Sequence, residues 1–154
     1  MANRTEIDEI KTEIQHLIDD NITTVQEVNK YYKTIFKGYP VVNIVFMGVE
    51  NEFRSTAENL RTFHFRLQIL EQVSQVPDGA IEDVQMERAE KIIDAVVSDM
   101  IDIFDQKYDS SDMDSTITYG LPSNTEPKMV VKMGNGACLM QEINIRYTKL
   151  FNVT

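Results

Sequence analysis

The sequence is short of the residues that carry most chemistries. Its 154 residues hold one cysteine, two histidines and no tryptophan. A single cysteine, Cys138, closes no intramolecular disulfide, which excludes a small disulfide-stapled scaffold and fits a reducing cytoplasm. Long apolar runs are missing too. The longest, Val41 to Met47, is broken by Asn43 and is far too short to cross a bilayer as a helix. The opening stretch MANRTEIDEIKTEIQ has no apolar core and no cleavage pattern, so no signal peptide is expected. Cations are scarce as well. Lys and Arg number 15 against 25 Asp and Glu, giving a net charge of −10 and a pI of about 4.6. That balance argues against a free-standing nucleic-acid binder, which needs cations facing the phosphates. It argues against a membrane-surface role on the same ground. No G-x-S-x-G, phosphate-binding loop, H-E-x-x-H or C-x-x-C spacing occurs.

What is present is enough to build one core. An apolar fraction of 42% over this length predicts a single domain spanning 1–154. Ile7, Ile10, Ile14, Leu17 and Ile18 recur at helical spacing, and Asn21 is a stop signal. Residues 22–36 support two readings. Val25, Val28, Tyr32 and Ile35 would make a helical stripe, whereas β-branched Thr23, Thr24 and Val25 favour a short edge strand at about Thr24–Asn29. Tyr39-Pro40 leads into a strand over Val41–Met47, and Gly48–Asn59 reads as a charged loop. From Leu60 to Leu70 the pattern alternates. Phe63, Phe65, Leu67 and Ile69 share one face; His64, Arg66 and Gln68 share the other. Ala89, Ile92, Ile93, Val96, Val97, Met100, Ile101 and Phe104 form the stripe of a second helix, with Glu87 and Lys91 paired outside it. A long irregular acidic connection, DQKYDSSDMDSTITYGLPSNTEP, follows. Lys128–Met133 and Leu139–Phe151 then read as a hairpin around Gly134-Asn135-Gly136. The sum predicts an α+β fold: an antiparallel four- to five-stranded sheet with two helices on one face. The other face, bearing His64, Arg66, Gln68, Asn144 and Arg146, is expected to meet water or a partner.

Candidate chemical groups mostly read as structural. His16 and His64 sit on different elements, and His64 is expected to pair across the sheet with a carboxylate such as Glu142. Asp109, Asp112 and Asp114 resemble the start of a calcium loop. The required glycine and glutamate are absent in either register, so no metal is expected. Cys138 has no histidine near it in sequence and reads as a packed residue. No catalytic residue and no cofactor are expected.

The series VQEVNKYYKTIFKGYPVVNI, ENEFRSTAENLRTFHFRLQIL, AEKIIDAVVSDMIDIFD and MQEINIRYTKLF carries a family resemblance. It combines a Tyr-Pro lead-in to an apolar strand with a strand of pattern E-N-x-R-x-[FY]-x-F, here Glu58-Asn59-Leu60-Arg61-Thr62-Phe63-His64-Phe65. An Ala89-Glu90 helix ending Asp102-Ile103-Phe104-Asp105 and a closing strand complete it. In order and spacing the chain resembles the tail terminator proteins of long-tailed bacteriophages from about Gln26 onward. The insertion Tyr108–Lys128 and the first helix add little to the likeness.

The resemblance implies a structural virion protein of the tail neck, assembled in the host cytoplasm. It implies a ring, usually of six subunits, that caps the head-proximal end of the tail tube, stops elongation and joins the head connector. Its expected partners are other copies of itself, the tube protein and the connector or stopper protein, with DNA passing through the lumen unbound. An acidic wall suits passage, since like charge does not hold phosphates. Glu50, Asn51, Glu52, Phe53, Arg54, Asp109, Asp112 and Asp114 are the expected partner-binding residues, and Arg61, Arg66 and Arg146 the expected subunit contacts. The alternatives are another phage neck component, a head–tail connector or tail completion protein, or a small acidic protein-binding module.

Overall fold

A computed structural model describes residues 6–53, 58–76, 79–106, 121–134 and 136–152. In chain order the elements are α1 (Glu6–Asn21), β1 (Glu27–Asn29), β2 (Val41–Phe53), β3 (Glu58–Ser74), α2 (Asp83–Gln106), β4 (Leu121–Thr125), β5 (Met129–Met133) and β6 (Gly136–Asn152). The fold is α+β, with both helices packed against one sheet.

Each helix follows its apolar stripe. Ile10, Ile14 and Ile18 of α1 are fully buried, as are Ala89 and Ile93 of α2; Val96, Met100 and Phe104 are nearly so. The Asn21 amide closes α1 by donating to the Leu17 carbonyl at 2.8 Å, which occupies one of the helix's orphan acceptors. The expected Glu87–Lys91 pair forms at 3.0 Å on the wet side of α2.

The sheet runs β1-β2-β3-β6-β4, and β5 also pairs with β6. Because β3 holds one edge of β6 along almost its whole length, β4 and β5 share the other. The Glu126 N–H donates to the Glu142 carbonyl at 2.8 Å and keeps this edge attached across the break. Six strands therefore fill five positions. The β1–β2 pairing is parallel and the remaining pairings are antiparallel, so the sheet is mixed where a wholly antiparallel one is expected. The short strand expected at Thr24–Asn29 is β1, reduced to Glu27–Asn29.

Strand parity separates two faces. On the helix side Val42, Ile44 and Phe46 lie across from Ile69, Leu67 and Phe65, which in turn face Gln141, Ile143 and Ile145 of β6. The Phe65 ring meets Phe46 at 5.4 Å and Tyr147 edge-on at 6.1 Å between centroids, a favoured aromatic geometry. On the far side, the crossover of residues 30–40 covers one end of the sheet. Phe36 and Tyr39 there close a second small core with Val41, Leu70, Met133, Cys138 and Met140. Cys138 is fully buried there, and burial pushes its thiol up. The crossover reaches the β5–β6 turn, where a Cβ on Gly134 would lie 2.6 Å from Ile35 Cγ1 and 2.9 Å from the Thr34 carbonyl oxygen. Only glycine allows that approach.

Two expectations are corrected. The Gly48–Asn59 loop is mostly strand, because β2 continues to Phe53 and β3 begins at Glu58. A bulge between Phe46 and Gly48 marks the bend, and Gly48 takes a φ of 138°, open to glycine and little else. The acidic connection after α2 is not wholly irregular, since Leu121–Thr125 forms β4.

Candidate interaction surface

The open part of the far face carries a belt of polar side chains across three strands. Cross-strand register lines up His64 with Arg146, Arg66 with Asn144, and Gln68 with Glu142. The face expected to meet water or a partner is therefore built as its alternation implies. Arg66 Nε donates to Asn144 Oδ1 at 3.0 Å, and Asn144 Nδ2 donates to Asn124 Oδ1 on β4 at 2.8 Å. Gln68 Nε2 donates to Glu142 Oε2 at 3.0 Å, while Arg66 Nη1 stands 3.7 Å from the other oxygen of that carboxylate. Glu126 accepts from Asn124 Nδ2 at 3.2 Å and from Asn144 Nδ2 at 3.3 Å. A shallow cavity of about 400 Å³ opens beside this belt, lined by Arg66, Glu126, Pro127, Lys128, Met129 and Glu142. Lys128 turns from it to Asp94 of α2 at 2.6 Å.

Both carboxylates of the belt are committed to hydrogen bonds with amides. Among the described residues no group of three or more His, Cys, Asp and Glu side chains is placed to hold a metal ion. Among them, too, no helix is long and apolar enough to cross a membrane. Gln68 Oε1 and His64 Nε2 are buried atoms with no hydrogen-bond partner among the described residues. His64 Nε2 lies 3.4 Å from Glu50 Oε1, a pairing too poorly aligned to be a hydrogen bond. Its carboxylate neighbour is thus Glu50 and not Glu142, because Glu142 is two rows away and held by Gln68 and Arg66. His16 is exposed on α1.

The expected partner-binding residues separate into two groups. Glu50, Asn51, Glu52 and Phe53 are all exposed, on the outer half of β2 instead of a loop. Arg54, Asp109, Asp112 and Asp114 lie outside the described residues. The three arginines expected at one contact do not share a face. Arg66 and exposed Arg146 belong to the far side. Arg61 lies on the helix side, where its Nη1 meets Glu6 of α1 at 3.3 Å and its Nε donates to Asn51 at 3.1 Å. Glu6 also pairs with Lys149 at 2.7 Å, so Arg61 anchors a helix to the sheet. Asn124 and Glu126 complete the belt and are not singled out by the sequence, since LPSNT has one β-branched residue, Thr125, no aromatic, and Pro122 and Asn124 of poor strand preference.

No family model matches this chain, and no curated protein matches it.

Proposed function

We propose that this chain is a tail terminator of a long-tailed bacteriophage, forming a ring that caps the tail tube and presents a surface to the head connector. One observation carries the reading: one small domain presents two unlike faces. Helix α2 covers one side of the sheet and turns Glu90, Asp94, Asp99, Asp102 and Asp105 outward. The other side presents the hydrogen-bonded amide and arginine belt. A subunit that stops a growing stack must copy one face of the preceding ring and lack the other, and unlike faces on one domain meet that need. The order of lead-in, apolar strand, second strand, helix and closing strand that carries the family resemblance is also compatible with the observed fold.

The test is electron microscopy of the purified protein mixed with its tube protein. Rings at one end of tubes of uniform length are expected. A phage lacking the gene should make overlong tails. Normal-length tails that fail to join heads would instead identify a connector or completion protein. A monomer that binds no tube would leave the protein-binding module.

A further inference from the structure

The outer half of β2 has an unusual edge. Strand β1 covers β2 only at Val41–Asn43. Among the described residues, nothing pairs with that edge from Ile44 to Phe53. The bulge takes Met47 out of the ladder, so the regular free stretch runs from Gly48 to Phe53. Edge strands are usually blunted by charged side chains, lysine above all, by proline, by a bulge or by a covering segment. This stretch, GVENEF, follows the bulge and has no Lys, Arg or Pro, and its charges are the two glutamates Glu50 and Glu52. It leaves Val49 44% and Phe53 72% exposed on the helix side, while the Glu50 side chain on the far side is 78% exposed.

We propose that Gly48–Phe53 is a strand-addition edge for an extended segment of another protein, with apolar residues on one face and Lys or Arg on the other. A free edge presents alternating N–H and C=O groups, which an incoming backbone can satisfy over five or so residues. Side chains decide which segment fits. Apolar residues on its helix-side face would cover Val49 and Phe53. Cations on its far-side face would stand beside Glu50 and Glu52, the favourable cross-strand pairing, whereas acidic residues there would repel. A second copy using the same edge would bring both pairs of carboxylates together, which disfavours self-pairing there, and charge complementarity favours a segment of a different chain. This inference uses only the free edge and holds whether or not the protein caps a tube.

The test uses the full chain, isotope-labelled, and two capped peptides, Val-Lys-Val-Lys-Val-Lys and its counterpart with Glu for Lys. Amide hydrogen exchange is read residue by residue. The Lys peptide should slow exchange of amides within 48–53 by at least about tenfold, and the Glu peptide should not. The double variant Glu50→Lys/Glu52→Lys should reverse the preference. If that variant fails to fold, Glu50→Gln/Glu52→Gln should weaken Lys-peptide binding while leaving circular dichroism unchanged. A Lys peptide N-methylated at every residue should not bind, because neither of its edges then offers a backbone donor. Equal protection by both charged peptides would overturn the proposal. So would undiminished binding of the N-methylated peptide, or protection of 48–53 by concentrating the protein alone, which would make the occupant a second copy.

Discussion

Asn29 and Asn43 bond to each other across the parallel junction of β1 and β2: Asn29 Nδ2 donates to Asn43 Oδ1 at 3.0 Å, with both residues buried. Asn29 Nδ2 also reaches Glu27 at 2.8 Å, and Asn43 Nδ2 donates to the Lys33 carbonyl at 3.1 Å. Two amides thus tie the start of β2, the edge strand and the crossover together, and they satisfy backbone and side-chain groups that burial would otherwise orphan.

Replacing Asn43 with alanine should cost about 1–3 kcal/mol, because the Lys33 carbonyl loses its partner and Asn29 loses one of two. Denaturant unfolding measures this. Amide exchange should rise first in Glu27–Asn29 and the crossover, while α2 stays protected.

Tyr147 makes the opposite prediction. It is almost fully buried, and its hydroxyl finds no hydrogen-bond partner among the described residues. Burial, with Glu13 nearby, pushes its ionisation up. Tyr147→Phe keeps the ring that meets Phe65 and removes an unsatisfied polar atom. The variant should be at least as stable as the parent, within about 1 kcal/mol or better. A loss of several kcal/mol in denaturant unfolding would mean the hydroxyl is bonded in solution.

Glu71 predicts a pH dependence. Its carboxyl is buried and held up by desolvation, against the opposing pull of Arg88 at 3.2 Å. The folded state therefore keeps this proton to higher pH than the unfolded chain does. Stability from this group falls as pH rises from the unfolded value, 4.5, through the raised folded one. Glu71→Gln should flatten that part of the stability profile and gain relative to the parent at neutral pH. The gain should vanish once Glu71 is protonated in both states. Urea midpoints between about pH 4 and 8 would show it, and a slope unchanged by the substitution would count against it.

Gly48 isolates a backbone effect. A Cβ there would meet nothing within 4 Å, but its φ of 138° is one that side chains rarely adopt. Gly48→Ala should therefore cost about 1–3 kcal/mol through strain alone. Its effect on exchange should centre on the bulge and the outer half of β2, leaving the helix-side core intact.

The elements with one buried face were legible in the sequence. Ile10, Ile14 and Ile18 mark α1, and Phe63, Phe65, Leu67 and Ile69 mark β3, because burial imposes its period on side chains. The outer half of β2 was not. Glu50, Asn51 and Glu52 are consecutive polar residues on a strand with both faces wet, so no alternation arises, and the backbone ladder to Thr62, Arg61 and Leu60 holds it. Strand β4 hides for a similar reason. Its conformation depends on β6, and Pro122 and Asn124 have poor strand preference. The division of the arginines was readable. Arg61 and Arg66 are five residues apart in one strand, and a period of two puts them on opposite faces.

Strand β6 follows every other described strand of the sheet in the chain and yet lies inside it, between β3 and the paired edge of β4 and β5. A nascent chain can zip β2 onto β3 early, since the hairpin is local. Until β6 arrives, β3 keeps one raw backbone edge, and β4 and β5 have no strand to join. Such long-range closure is slow and leaves sticky intermediates. The sheet must therefore wait for β6, and a folding chain is most exposed to mispairing until that strand is in place.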